Sequence, residues 1–542
     1  MAQTSLGRGG AAQGARERDA READQEAEAQ NDEETGADAG AQAERGDERD
    51  DDSDRQNGDC ELEHHDSGVS NSRATLRYGR AMTWVIRSRR VVSDGAVGPR
   101  AIWIEGERIA RVADFDDVPQ GAPIEDFGDD VVMAGLVDSH VHVNEPGRTS
   151  WEGFFSATRA AAAGGVTTIV DMPLNSIPAT VTVRALEEKA AALEGQCAVD
   201  VGLWGGAVPG NDRELGALLD AGALGFKAFL VDSGVPEFDW LRESDLALAM
   251  ETLADWNAPL LVHAELPGPL ARAAASLPAT LDARAYERYL RSRPPEAEIE
   301  AIDLLMRECA RTSARTHVVH LSAAGALERL ERAKENDLPF TAETTPHYLK
   351  LEAEAVPDGA TAFKCAPPIR EHENRERLWK GLKDGLIDLV VTDHSPCTPE
   401  LKKLDLGDFE KAWGGIASLQ FGLATVWTEA RARGATVVDM ARWMSEAPAK
   451  LANLARKGRI HPGADADFVV WRPEADFTVK KECILHKNKV TPYEGQTLFG
   501  PTIATYLRGE VVGSAVGGTT QIKMRDPRSE RARGRWLKRG ES

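Results

Sequence analysis

Cysteine is scarce in this chain and never closely paired: Cys60, Cys197, Cys309, Cys365, Cys397 and Cys483 are widely scattered, with no C-x-x-C among them. Neither a disulfide framework nor a thiolate zinc site can be read from such spacing, and a reducing, cytoplasmic setting is expected. Long apolar runs are missing as well. No stretch approaches the roughly 18 residues of a membrane-spanning helix, and the N-terminus lacks the apolar segment of a signal peptide, so a soluble protein with no membrane partner is expected. No G-x-G-x-x-G phosphate turn follows an apolar run, which disfavours an open, doubly wound dinucleotide-binding sheet. Positive charge is in deficit, with 65 Lys and Arg against 88 Asp and Glu for a formal charge of −23 over 542 residues. Because Lys and Arg carry the phosphate contribution to affinity, nucleic acid is excluded as a partner of the whole chain and a small-molecule substrate is expected.

Large apolar residues are nearly absent from residues 1–75, which read as EADQEAEAQNDEETGADAG and GDERDDDSDRQNGD. The first 72 residues hold 21 Asp and Glu against 7 Arg, so −14 of the formal charge sits there. Such a segment cannot bury enough surface to offset its ordering entropy, and a disordered acidic tail is expected over 1–75. Residues 516–542, with KMRDPRSERARGRWLKRG, read as a basic, flexible C-terminal tail.

Between the tails, eight apolar runs alternate with Ala/Leu/Glu/Arg-rich stretches of helical length. The runs are VVMAGLVDSHVHV, VTTIVDMP, VDVGLWGG, GFKAFLV, PLLVHAEL, THVVHLS, PFTAETTPHYL and DLVVTDHSP. Alternating strand and helix predicts an α/β fold with a parallel sheet, and eight such units predict a (β/α)8 TIM barrel over 131–455. Two β-patterned pieces flank it, 76–130 and 456–515. Neither carries enough strand to bury a core alone, so the two are expected to form one small β-sandwich from both chain ends.

Ionisable side chains fall at the ends of these runs. His140 and His142 end the first, Lys227 lies in the fourth, His263 ends the fifth, His320 the sixth and Asp393 the eighth. In a barrel the C-terminal strand ends meet on one face, and the two-residue period of a strand puts His140 and His142 on the same side. Taken singly, a strand-end histidine reads as a core residue and Lys227 as a long side chain reaching for solvent. Their joint placement on five strands points instead to a metal site for two divalent ions, zinc in the first place with cobalt, manganese or iron also tolerated. A lysine desolvated among Phe226, Ala228 and Phe229 can be neutral and take up carbon dioxide as a carbamate, whose two oxygens can bridge two ions. Two such ions supply an activated hydroxide at neutral pH and polarise a carbonyl, with Asp393 as general base and then acid.

The order H-x-H, Lys, His, His, Asp over about residues 80–515 resembles the amidohydrolase superfamily, in its cyclic-amidase branch of dihydroorotases, hydantoinases and allantoinases. Within that branch HVHVNEPGRTSWEGF, DMPLNSIP, FKCAPPIRE and VTDHSPCTPELK are similar to the allantoinases. The resemblance implies that His140, His142 and Asp393 hold one metal, His263 and His320 the other, and carboxylated Lys227 bridges both. It also implies a homotetramer and hydrolysis of the hydantoin ring amide of allantoin to allantoate. A hydantoinase, dihydropyrimidinase or dihydroorotase-like activity is the alternative, and a metal-free scaffold homologue a remoter one.

Dihydroorotases place an arginine where this chain has Asn144, and that arginine grips a substrate carboxylate. A neutral amide at 144 suits an uncharged ring. Asn175, Ser322 and the main chain around Cys365 and Ala366 are the other candidate substrate contacts. Arg148 either supplies charge or holds its loop. His347 is expected behind the metal ligands, His317 facing away from the centre, and His64, His65, His372, His461 and His486 in surface or structural roles.

Overall fold

The computed structural model describes residues 83–515, 522–524 and 533–541. The acidic tail expected over 1–75 lies outside the described residues, as do 516–521 and 525–532 of the basic end. Thr83–Ser93 turns at Asp94 and Gly95 into Ala96–Glu105, with Ser93 opposite Ala96. Both turn residues have positive φ, 48° and 72°, the backbone for which Asp-Gly is selected in a two-residue hairpin. From the other end of the fold, Phe468–Trp471 pairs antiparallel with Val131–Ala134, which lies parallel beside Thr83–Ser93. Thr502–Leu507 and Glu510–Ala515 extend the same sheet. Seven strands from the two flanking pieces, with Val131–Ala134 and Ile522–Met524, thus make one nine-stranded sheet, and Asp476–Thr478 and Thr497–Phe499 form a separate two-stranded ribbon.

The expected barrel boundary at 131 needs correction, because VVMA belongs to this flanking sheet. Gly135 marks the crossing. A Cβ there would lie 2.2 Å from Thr167 Oγ1, so only glycine lets the chain pass into the next strand.

Eight strands follow and coincide with the eight runs: β1 Leu136–Val141, β2 Val166–Asp171, β3 Asp200–Leu203, β4 Phe226–Phe229, β5 Leu260–His263, β6 Thr316–Val318, β7 Phe340–Thr344 and β8 Leu389–Val390. They are parallel and buried on both faces, which is why they read as continuous apolar runs rather than alternating ones. One parallel sheet holds β1, β2 and β3; the other runs from the short strand Gly205–Gly206 through β4 to β8. At one junction Leu224 N donates to Leu203 O at 3.0 Å, and at the other His142 N donates to His394 O at 2.8 Å.

Helices lie between the strands, and one of them shows how a stripe is buried. Val183–Leu193 is capped by Thr182, whose hydroxyl accepts from Ala185 N at 3.2 Å, and buries Ala185, Leu186, Lys189 and Leu193 at helical spacing. Lys189 is buried because its ammonium donates to Asp171 Oδ2 at 2.6 Å and Met172 O at 2.8 Å. Asp171 in turn accepts from Val143 N at 2.7 Å, which fixes the loop that leaves β1.

Part of the end expected to be a flexible tail is ordered. Trp536–Leu537 runs parallel to β3, opposite Val201 and Gly202. Gly534 approaches so closely that a Cβ would lie 2.0 Å from Val199 O. The composition reads as solvated, but buried Asp200 draws the segment in by accepting from Arg535 N at 2.9 Å. Asp200, Asp465 and Asp467 resemble a cation site, yet Lys457 Nζ already lies 2.6, 2.9 and 2.7 Å from them. Among the described residues no helix is long and apolar enough to cross a membrane.

Candidate active site

The strand ends bring together the ionisable residues singled out in the sequence. His140 Nε2 lies 3.2 Å and His142 Nε2 3.5 Å from Asp393 Oδ1, and the three form a cluster able to hold a metal ion. His263 Nδ1 faces His320 Nε2 at 3.0 Å, and the His140 and His320 rings are 5.5 Å apart. Lys227, inside β4, is buried with its Nζ 5.0 Å over the Phe229 ring, which stacks on His263 at 4.7 Å. All six expected ligands therefore share one centre.

The hydrogen-bond partners decide which nitrogens are free. His140 Nδ1 donates to Glu343 Oε1, so its Nε2 carries only a lone pair. That lone pair confronts the Asp393 carboxylate, an acceptor, without a hydrogen bond between them. His263 Nε2 likewise donates to Glu265 Oε2 at 2.7 Å, leaving a lone pair on Nδ1 that can accept from His320 Nε2 at 3.0 Å. Two acceptors facing each other, as His140 Nε2 and Asp393 Oδ1 do, are what a cation between them relieves. Two donors sharing a tetrahedral ion at about 2.0–2.1 Å sit about 3.3 Å apart, and the separations above bracket that edge.

Electrostatics agree. Burial lowers His142 to about 4, against the pull of Asp393, and also lowers His263 and His320, so these rings are the neutral imidazoles that metals require. Burial would raise Asp393, but His140 and His142 outweigh it and hold the carboxyl well below its usual range. Lys227 is lowered by burial from 10.5 to about 8, with Asp393 and Glu343 opposing, so a substantial neutral fraction exists near physiological pH.

Several partners escaped the sequence reading. Glu343 on β7 binds His140 and, through Oε2 at 3.0 Å, His317 Nε2; His317 Nδ1 lies 2.8 Å from Thr341 Oγ1. The expectation that His317 faces away is thus corrected: β6 ends at Val318 and His320 adopts φ 39°, so strand parity does not extend from 317 to 320. Glu265 is held by Arg293, and Asp138 accepts from His140 N and Thr392 N, each at 3.2 Å, tying β1 to the segment after β8. A signal was present for one of these, since Asp138 stands two before His140 on the same face of β1. His394, also missed, carries the carbonyl that accepts from His142 N.

The expected substrate contacts fare unevenly. Asn144 and Asn175 are buried, each with an unpartnered Oδ1, and both have left-handed backbone at φ 65° and 68°. Asparagine is thus favoured at both positions by the backbone as well as by its amide. Ser322 already donates its hydroxyl to Pro368 O at 2.6 Å, and the Cys365 carbonyl accepts from Tyr289 OH at 2.7 Å, so the groups left there are fewer than expected. Ala366 is half-buried. Arg148 holds its loop, donating to Asn175 O at 3.0 Å and pairing with Glu237. His486 is buried 5.6 Å from the ring of His394, and His372 and His461 lie at the surface; His64 and His65 lie outside the described residues.

Comparison with known proteins places this geometry. A model of the amidohydrolase family matches residues 131–512. The chain is 50% identical over 442 residues to an allantoinase of Streptomyces avermitilis, covering 81% of this chain and 97% of that one. It is 45% identical over 406 residues to an allantoinase of Saccharomyces cerevisiae, covering 74% and 86%. Among solved structures, L-hydantoinase (dihydropyrimidinase) from Arthrobacter aurescens superimposes with a TM-score of 0.77 at 27% identity, covering 84% of this chain and all of that one. With its strand-end histidines, buried lysine and aspartate in the family's part of the chain, this protein belongs to the amidohydrolase family.

Proposed function

We propose that this chain is an allantoinase, a hydrolase that opens the hydantoin ring of allantoin at its amide to give allantoate. The observation that carries the metal-dependent reading is the pair of acceptors His140 Nε2 and Asp393 Oδ1 facing each other at 3.2 Å in a buried site. The substrate follows from the relatives called allantoinases, which align over most of the folded chain, and from the neutral Asn144. His140, His142 and Asp393 would hold one divalent ion and His263 and His320 a second, with Lys227, carboxylated, as a ligand of both. When bound, the ions lower the pKa of a water to about 7 and polarise the amide carbonyl.

The chain's own residues then do the rest. Asp393 takes the proton of the attacking water and returns it to the ring nitrogen as the amide C–N bond breaks. Glu343 and Glu265 fix the tautomers of His140 and His263, so that each presents a lone pair. Asn144 and Asn175 offer amide oxygens to ring N–H groups. The two parallel sheets are arcs of one closed (β/α)8 barrel in this reading. Zinc as the metal, read from the imidazole and carboxylate ligands, a cytoplasmic location, read from the scattered cysteines, and a homotetramer, implied by the family resemblance, are parts of the same proposal.

The test is hydrolysis of allantoin, dihydroorotate, hydantoin and dihydrouracil side by side, with and without chelator, on protein of known metal content. Chelator-sensitive turnover of allantoin is the expected result. Turnover confined to hydantoin or dihydrouracil would transfer the substrate to the hydantoinases.

A further inference from the structure

One ring near this centre has no task in the reaction as described. His347 lies in the short helix Pro346–Lys350, just beyond the C-terminal end of β7, and is fully buried. Neither of its ring nitrogens meets a protein partner. Among the described residues the same holds only for His486, which packs 5.6 Å from His394. The charges acting on His347 are two of the site, Asp393 and His140, together with Lys402.

The neighbours cannot satisfy it. Lys402 directs its ammonium to the carbonyls of Lys364 at 3.0 Å, Trp413 at 3.1 Å and Gly415. The Tyr348 ring meets His347 edge-on at 4.4 Å, but its hydroxyl donates to Pro367 O at 2.6 Å. Buried polar atoms are normally paired, so two unpaired atoms on one ring call for a ligand that completes them.

We propose that His347 is a substrate-contacting residue of the ring-opening reaction, its N–H donating to a carbonyl of an uncharged cyclic amide; this rests on the function proposed above. The unpartnered Oδ1 atoms of Asn144 and Asn175 are acceptors suited to ring N–H groups. Their amide nitrogens are already engaged, Asn144 Nδ2 with Pro396 O at 3.3 Å and Asn175 Nδ2 beside His142 Nδ1 at 3.5 Å, so the donor for a ring carbonyl is left to His347. Burial lowers His347 from 6.5 to about 4, so at neutral pH it joins the two asparagine amides as an uncharged polar group. An uncharged ureide finds both an acceptor and a donor among the three.

The experiment compares the metal-loaded full chain with His347→Phe and His347→Gln, measuring kcat and KM on the four rings together with metal content and the unfolding midpoint. His347→Phe should keep its metals and midpoint and lose about 10- to 100-fold in kcat/KM for allantoin. His347→Gln, which retains an N–H donor, should return to within about tenfold of the wild type. Wild-type kcat/KM in His347→Phe overturns the proposal, and so does a loss that both variants share with loss of metal. If the wild-type chain opens a ring other than allantoin, the substrate assignment falls and His347 is judged on that ring by the same ratio. A wild-type chain inert toward all four overturns both.

Discussion

Removing the Glu343 carboxylate should weaken metal binding at a distance of one side chain. Glu343 is fully buried and accepts from His140 Nδ1 and His317 Nε2, and from His320 N at 3.3 Å. Burial raises its carboxyl, yet His140 and His317 more than offset this and hold it at about 2, below the ordinary 4.5. A folded-state value below the unfolded one means that the stabilisation is complete above about 4.5 and is lost as pH falls toward 2, so a measurement at pH 7.5 sees all of it. Each charge-assisted hydrogen bond contributes about 1.5–3 kcal/mol.

Glutamine and alanine differ in what they leave behind. A glutamine has one acceptor oxygen and one NH2. If the oxygen stays with His140, the NH2 must find a lone pair on His317, which can supply one by moving its proton to Nδ1, toward Thr341 Oγ1. His140 then keeps its Nε2 lone pair, and only the charge is lost. Glu343→Gln should therefore bind metal about 10-fold more weakly and Glu343→Ala about 100-fold, or about 1.4 and 2.7 kcal/mol. Metal retained against graded chelator, read by elemental analysis, gives the affinities; urea unfolding at pH 7.5 gives the stability. Excess metal should restore most of kcat in Glu343→Gln. Wild-type metal affinity in Glu343→Ala would refute the orienting role of Glu343.

Lys227→Ala should empty at least one metal position, with partial rescue by added short carboxylic acids; full occupancy and activity would rule out a bridging carbamate. Asp393→Asn should keep metal by elemental analysis but abolish turnover, and appreciable activity would remove Asp393 from the proton-transfer role. In metal-stripped protein, His142 and His347 are held by burial at about 4 against 6.5 when unfolded, so only the unfolded chain takes up their protons as pH falls from 6.5. Stability should fall by about 4 kcal/mol between pH 7.5 and 5 from these two, a slope that urea melts resolve and whose absence would place both rings in water. Lys457→Met leaves three buried carboxylates without their shared ammonium and should destabilise by about 3–5 kcal/mol while metal content is unchanged. A change below about 1 kcal/mol would mean that another cation takes its place.

Much of the parallel α/β architecture was legible because its signals are local. Apolar runs ending in His140 and His142, His263, His320 and Asp393 needed only strand period and strand order to be placed on one face. Turn chemistry at Asp94 and Gly95 was local too. What the sequence determined, then, was the succession of strands, the five residues at their ends with Lys227 inside the fourth, and the neutrality of Asn144. Tertiary structure decided the rest, because those contacts join residues remote along the chain. Glu343 reaches His140 across 203 positions, and no periodicity links them. The assignment of VVMA to the flanking sheet rested on pairing with Phe468–Trp471, and the docking of Trp536–Leu537 on a buried aspartate that composition cannot reveal. The unpartnered ring of His347 is of the same kind: a histidine after a strand is visible in the sequence, but whether its neighbours satisfy it depends on where Lys402 and Tyr348 direct their own donors.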